Sequence, residues 1–124
     1  MSFGHHGQNM LQRPENTASL LGVTFYLNNR PVNATNMMIW LSYNGPKKDY
    51  RKYKFTIDVL DERKEEIVLS GTRFCVPCDT SWDDMKEEIL GVTINKKLAQ
   101  EVNVEGNPAN NPEFNVNVQF FPAR

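Results

Sequence analysis

The sequence lacks a long apolar run, a secretion signal and an excess of charge of either sign, and each absence excludes a class of function. A membrane-spanning helix takes roughly 20 apolar residues in succession, which no part of the chain offers. Residues 1–13 also lack the apolar stretch of a secretion signal. The 14 basic residues nearly balance the 15 acidic ones, whereas nucleic-acid-binding surfaces usually show a basic excess. We therefore expect a protein of the cytoplasm or nucleus that binds neither membranes nor nucleic acid.

Histidine and cysteine are scarce, with two of each, and this limits the sites that the chain can build. His5 and His6 both precede the predicted domain, so they are poorly placed to complete a Ser-His-Asp set. A structural zinc site takes four ligands, and one Cys-x-x-Cys with two adjacent histidines lacks the usual spacing. None of the seven glycines belongs to a phosphate-binding loop. We expect no catalytic residue, no bound metal and no cofactor.

The domain organisation follows from length and periodicity. A chain of 124 residues is long enough for one hydrophobic core and too short for two. Residues 1–16 show the period of neither a helix nor a strand, and we predict a flexible N-terminal tail there. Residues 17–124 then form a single domain.

Alternation of apolar and polar side chains indicates a mostly-β fold. Residues 53–60 and 113–121 alternate regularly, as half-buried strands do. Residues 36–43 are apolar on both faces, which favours a central strand. Further strands are predicted at residues 23–28 and 66–70, giving about six strands in total.

Two short helices complete the prediction. Thr80 or Ser81 is a suitable N-cap for a helix of about ten residues. Its predicted apolar face consists of Trp82, Met85, Ile89 and Leu90. A second helical turn is predicted within residues 94–102. No strand is followed by the long helix of a βαβ unit. The predicted fold is therefore an antiparallel β-sandwich with one or two short helices.

The sharpest local motif is Cys75-Val76-Pro77-Cys78, between a predicted strand and a capped helix. A helix N-terminus lowers a thiol pKa, so the motif suggests a thiol-disulfide oxidoreductase with Cys75 as nucleophile and Cys78 as resolving thiol. A thioredoxin-like fold needs more strands and a helix after this motif than the remaining residues supply. We therefore favour a pair of reduced, partly buried cysteines and keep the oxidoreductase as the alternative.

A candidate partner-binding surface lies on the predicted strand at residues 36–43. Met38 and Trp40 share one side of this strand, so one face is predicted to cover a core and the other to meet a partner. The alternative is that helices cover the second face and bury both faces within the monomer. Met38 and Trp40 beside several edge strands also suggest a structural subunit or a decoy that only dimerises.

The order and spacing of these segments resemble the TRAF-like substrate-binding domain of seven-in-absentia-type ubiquitin ligases. The resemblance runs from Gly22-Val23-Thr24-Phe25-Tyr26-Leu27 through Gly45, the alternating strand at residues 53–59 and Leu98-Ala99-Gln100 to the closing strand at residues 114–118. It covers roughly four fifths of the chain and contains no single diagnostic motif.

This resemblance implies a protein-interaction domain that recognises peptide segments of other proteins, often as a homodimer, in a ubiquitin-ligase pathway. It implies an eight-stranded antiparallel sandwich, and some peptides bind such domains by pairing with an exposed sheet edge. The RING domain and zinc fingers of that family have no counterpart in this chain. Strands before Gly22 look shortened or missing, so we assign no groove residue by resemblance.

Overall fold

The computed structural model describes residues 8–10, 17–20, 22–108 and 112–123, and within them the protein is mostly β, as predicted. Its nine strands in this part of the chain are β1 Gln8–Met10, β2 Thr17–Leu20, β3 Val23–Pro31, β4 Asn36–Tyr43, β5 Tyr53–Asp61, β6 Glu66–Phe74, β7 Val76–Pro77, β8 Val92–Asn95 and β9 Asn115–Pro122. Two short α-helices, α1 Trp82–Glu88 and α2 Lys96–Glu101, and a 3-10 turn at Lys47–Asp49 lie between them.

The strands form two sheets. The first has the order β1-β9-β5-β6 and is antiparallel throughout. In the second, β2, β3 and β4 are antiparallel neighbours, and both β7 and β8 pair with the other edge of β4. Only two residues of β7 pair, in parallel, with β4. The predicted central position of residues 36–43 is confirmed.

The main core lies between the sheets and follows the predicted alternation. Phe55, Ile57 and Val59 on β5 are fully buried, while the residues between them are half-buried. β9 contributes the buried side chains of Val116, Val118 and Phe120, and β4 contributes the side chains that face the first sheet. The buried members of this core are Phe25, Met37, Ile39, Leu41, Tyr43, Phe55, Ile57, Val59, Cys75, Val92, Ile94, Ala99, Val102, Phe114, Val116, Val118 and Phe120. Each large apolar side chain buried here contributes roughly 1.5–3 kcal/mol.

A second, small core covers the outer face of β4. Met38, Val76 and Met85 are each at most 2% exposed and pack together there. Met85 is the buried residue of α1, so this helix is held to the sheet by one anchoring side chain with Trp82 beside it. The second face of β4 is therefore apolar because a helix covers it.

The helices differ from the predicted ones in length. The Ser81 side chain accepts a hydrogen bond from the Asp84 backbone N–H and caps α1, as predicted. The helix ends at Glu88, however, and Ile89 takes a left-handed conformation with φ 51° and is 54% exposed. The prediction that Ile89 belongs to the buried stripe is wrong, because the chain leaves the helix there to pass close against β4. In the described residues, neither helix has the length and apolar character needed to cross a membrane.

Several strand segments were also missed, including β2, β7 and residues 71–74 of β6. Residues 29–31 continue β3 because their backbones pair with β4, despite the predicted break. β8 is short and pairs with β4 alone. β1 lies inside the segment predicted to be a tail, where three residues pair with β9. Such short pairings depend on a neighbouring strand and leave little periodic signal in the sequence.

Candidate functional site

The two predicted partner-binding residues lie under and beside α1. Met38 is 1% exposed in the small core, and Trp40 is half-buried. The Trp40 ring stacks on that of Trp82, with centroids 5.7 Å apart and planes inclined by 27°. This arrangement favours the alternative that both faces of β4 are buried within the monomer. Of the two residues, Trp40 alone offers a partly accessible side chain, and a partner role for it stays a prediction.

Two cations hold Trp82 in place. The guanidinium carbon of Arg30, on β3, lies 4.5 Å from the Trp82 ring centroid, and Nζ of Lys86 lies 5.8 Å from it. Contacts of this kind contribute about 0.5–1 kcal/mol at exposed sites. Because Arg30 and Trp40 lie on the sheet, their contacts with Trp82 fasten α1 to it, whereas Lys86 belongs to α1 itself.

The two cysteines lie in different surroundings. Cys75 is fully buried in the main core, and burial raises the pKa of its thiol. Cys78 is exposed, and its Sγ lies 3.6 Å from Oγ of Ser42. The residues between them form β7, and α1 begins only at Trp82. The dithiol is therefore not at a helix N-terminus, and the proposed nucleophile has neither access to solvent nor a lowered pKa, which opposes the oxidoreductase alternative.

We expect the two thiols to differ strongly in reactivity. Cys78 should be alkylated by iodoacetamide in the native protein, whereas Cys75 should react only after unfolding, because a buried protonated thiol is a poor nucleophile. Mass spectrometry after timed alkylation at neutral pH, with and without denaturant, measures both rates. Faster native alkylation of Cys75 than of Cys78 would restore the oxidoreductase hypothesis.

The described residues show no enclosed site for a large ligand or a metal ion. A cleft between the 3-10 turn and α1 is lined by Tyr50, Pro77 and Leu90 with Asp84 and Glu88 at its rim, and has a volume of about 170 Å³. Pockets for drug-sized molecules measure roughly 300–1,000 Å³. Two larger depressions, of about 400 and 410 Å³, are more open to solvent than this cleft. No three His, Cys, Asp or Glu side chains in the described part of the chain are grouped to hold a metal ion. His5 and His6 lie outside the described residues.

An open sheet edge runs along β6. Within the described residues β6 has one neighbour, β5, and it is nine residues long. The pairing is irregular near Val68, where β6 carries an extra residue, and is regular from Leu69 to Phe74. The regular segment is the part that another strand could continue.

The ladder register shows which backbone groups point outward from β6. The Cys75 N–H donates to the Tyr53 carbonyl oxygen at 2.9 Å, so these two residues form a hydrogen-bonded pair. Such pairs alternate with non-hydrogen-bonded pairs along an antiparallel ladder. Counting back along the register, the N–H and C=O groups of Ser70, Thr72 and Phe74 point away from β5. The Thr72 carbonyl accepts a hydrogen bond from the Arg73 side chain, which leaves it room for a second donor.

A cluster of cations and aromatic rings lies at the Phe74 end of this edge. It consists of Tyr50, Arg51, Lys54 and Phe74, and we refer to it as the cation-aromatic cluster. The Arg51 guanidinium carbon lies 5.4 Å from the Phe74 ring centroid and 5.7 Å from that of Tyr50. Nζ of Lys54 lies 4.9 Å from the Phe74 centroid. The basic run at residues 47–54 is visible in the sequence, but Phe74 joins it only through the pairing of Lys54 with Phe74.

A comparison with protein-family models finds no match, and a comparison with curated protein sequences finds none either. The resemblance to TRAF-like domains therefore rests on the order and spacing of the sequence segments alone.

Proposed function

We propose that this domain is a protein-interaction module of TRAF-like type that takes an extended segment of a partner protein as an added strand on β6. In keeping with the resemblance, its role would be substrate recognition in a ubiquitin-ligase pathway. The observation that carries the proposal is the regular outer edge of β6, where the N–H groups of Ser70, Thr72 and Phe74 point outward without a partner among the described residues. A sandwich fold alone is a weak argument for any particular function.

Backbone pairing suits a domain that recognises peptides. An added strand gains main-chain hydrogen bonds from the edge, and its alternate side chains then contact neighbouring pockets and charges. Ordered hydrogen bonds of this kind contribute about 0.5–1.5 kcal/mol each. Several of them, together with side-chain contacts, suffice for the moderate affinity of a recognition domain.

The other described edges are poorer candidates. β1 has three residues and β2 has four, and β7 and β8 share the remaining edge of the second sheet with two and four residues. β6 also carries features that discourage indiscriminate pairing, namely its irregular start and the exposed, charged Arg73, whose side chain donates to the outward Thr72 carbonyl oxygen. An edge that is long but protected at one end favours selective partners.

The decisive variant is Thr72→Pro. Proline removes the outward N–H of Thr72 while leaving the bonds to β5 intact, and an edge position tolerates it. The control Thr72→Val also loses the Thr56–Thr72 hydroxyl contact of 2.9 Å but keeps the N–H. Against peptides selected from a display library on the folded domain, we expect Thr72→Pro to lose at least about tenfold in affinity, and Thr72→Val to bind nearly normally.

Two further measurements make this test specific. Bound peptide should slow hydrogen exchange at the amides of Ser70, Thr72 and Phe74, and denaturation should show that Thr72→Pro still folds. Selected peptides that bind Thr72→Pro and Thr72→Val equally would contradict the proposal and place the contact elsewhere. A complex of two copies joined through β6 would instead support the structural-dimer hypothesis.

A further inference from the structure

We infer that the segment taken up by β6 is acidic at the end that lies beside Phe74, where the cation-aromatic cluster recognises its carboxylates. This inference rests on the proposed pairing at β6 and adds the chemistry of the partner. It commits to an acidic extended peptide as the occupant.

The cluster presents two unpaired positive charges. Within the described residues neither Arg51 nor Lys54 forms an ion pair, whereas Nζ of the neighbouring Lys52 lies 2.9 Å from a carboxylate oxygen of Asp49. The rings of Tyr50 and Phe74 stand at 72° to each other and flank the Arg51 guanidinium. A guanidinium that packs on aromatic rings keeps its hydrogen-bonding edge available for a carboxylate and loses less freedom on binding.

The backbone at Arg51 is held in a conformation that its side chain does not favour. Arg51 has φ 75°, in the left-handed region that glycine adopts most readily. The turn would be satisfied by glycine or asparagine, so an arginine here is not explained by the local backbone. Its position over the rings, beside an open strand edge, supports a binding role for its positive charge.

The cluster and the open edge are contiguous. Phe74 belongs to both, because its backbone groups point outward from β6 while its ring contacts Arg51 and Lys54. A peptide residue paired opposite Phe74 therefore lies next to both cations. At the other end of β6, Glu65 and Glu66 are exposed and give the edge a negative charge. The edge is thus positive at Phe74 and negative at Glu66, which sets the orientation of a bound acidic segment.

Two observations favour a peptide over a nucleic acid. The chain as a whole carries a formal charge of −1, so no extended positive field surrounds the two cations. The groups next to the cluster are backbone donors and acceptors of a sheet edge, which match a peptide strand and not a sugar-phosphate chain.

The test compares three synthetic peptides with the full chain. All alternate valine and threonine, and they end in a run of glutamate, glutamine or lysine. Binding is measured by fluorescence anisotropy at low and high salt, and amide chemical shifts of Ser70, Thr72 and Phe74 report pairing at β6. We expect the glutamate peptide to bind about fivefold more tightly than the glutamine peptide at low salt, and the difference to shrink at high salt.

Variants at Arg51 test whether the cation-aromatic cluster causes the preference for the glutamate peptide. Arg51→Gly and Arg51→Asn suit the left-handed backbone, and we expect each to lower affinity for the glutamate peptide about threefold without lowering the denaturation midpoint. Lys64→Gln is the matched control: it removes the same charge from the turn at the opposite end of β6 and should leave this affinity unchanged.

The outcomes separate this inference from the proposed function. If all three peptides shift the β6 amides with equal affinity, pairing at β6 stands and acidic specificity is excluded. If no peptide shifts these amides, the proposed function itself fails. Tighter binding of a single-stranded oligonucleotide than of the glutamate peptide, with loss in Arg51→Asn, would overturn the inference in favour of nucleic acid.

Discussion

Replacing Gly91 by alanine is expected to lower the free energy of unfolding by about 3 kcal/mol. A Cβ at this position would lie 2.5 Å from Cγ of Met38 and 2.8 Å from the backbone carbonyl oxygen of Ile39. The Met38 side chain is flexible and can shift, but the Ile39 carbonyl belongs to the backbone of β4. Relief therefore requires β8 to move away from β4, although Val92 is paired with Ile39 there.

A matched control separates this contact from the general effect of replacing glycine. Gly106 has φ 86° and nothing within 4 Å of an added Cβ. Gly106→Ala should therefore lower the free energy of unfolding only because alanine disfavours a left-handed backbone, by about 1 kcal/mol. Urea denaturation followed by the fluorescence of Trp40 and Trp82 measures both variants. Equal decreases in the free energy of unfolding of the two variants would show that β8 can move away from β4 at little cost, and would contradict the steric explanation.

The second large effect is a loss of stability at alkaline pH, which follows from the buried thiol of Cys75. Burial raises the pKa of this thiol in the folded state, while in the unfolded chain it ionises near pH 8.5. Below about pH 8 the thiol is protonated in both states, and its contribution does not change with pH. Above about pH 8.5 the folded state holds one proton more than the unfolded state, so the free energy of unfolding falls by about 1.4 kcal/mol per pH unit.

Tyr43 adds to this loss at higher pH. Burial, followed by the nearby Asp49 carboxylate, raises the pKa of Tyr43 to about 12, and its hydroxyl donates to the Pro46 carbonyl oxygen. The contribution of Tyr43 to the free energy of unfolding begins to fall above about pH 10, the pKa of an unperturbed tyrosine.

The thiol of Cys75 alone lowers the free energy of unfolding by about 3 kcal/mol between roughly pH 8.5 and roughly pH 11.

The variant Cys75→Val isolates the thiol, because valine fills a similar volume without a titratable group. Its urea midpoint should decline less between neutral and alkaline pH than that of the native protein, and Cys78→Ser is the control for replacing an exposed cysteine. Parallel pH profiles for the native protein and Cys75→Val would contradict the assignment. At neutral pH both proteins should unfold cooperatively, which is checked by coincident fluorescence and circular dichroism transitions.

Strand position was predictable where side chains alternate or are apolar on both faces. The bounds of β4 agree with the predicted residues 36–43, and β9 begins within two residues of its predicted start. β8 and β1 were missed because four and three residues are too few to establish a period. The Cys75–Cys78 motif resembles a strand-to-helix turn in sequence, whereas the structure places Cys75 in the core and begins α1 only at Trp82.

The candidate site was less predictable than the fold. Met38 and Trp40 were predicted to form a partner surface because both faces of an apolar strand must be buried. The sequence does not show whether the second face is buried by a helix of the same chain or by a partner. Thr72 and Phe74 gave no signal as binding residues, because an outward N–H is a property of strand order and register. A search for long strands with a charged residue at a position that alternation assigns to the core face, such as the exposed Arg73 opposite Phe55, would have pointed to β6 as an edge.

The sequence by itself determined that the chain is mostly β, which faces of its longer strands are apolar, and that a helix is capped at Thr80 or Ser81. These features depend on residues a few positions apart, where periodicity and capping chemistry act. Only the tertiary structure decided that β6 is an edge, that α1 covers Met38, and that Arg51 meets Phe74. Those features join residues far apart in the chain, and they depend on how the strands pair, which local patterns do not specify.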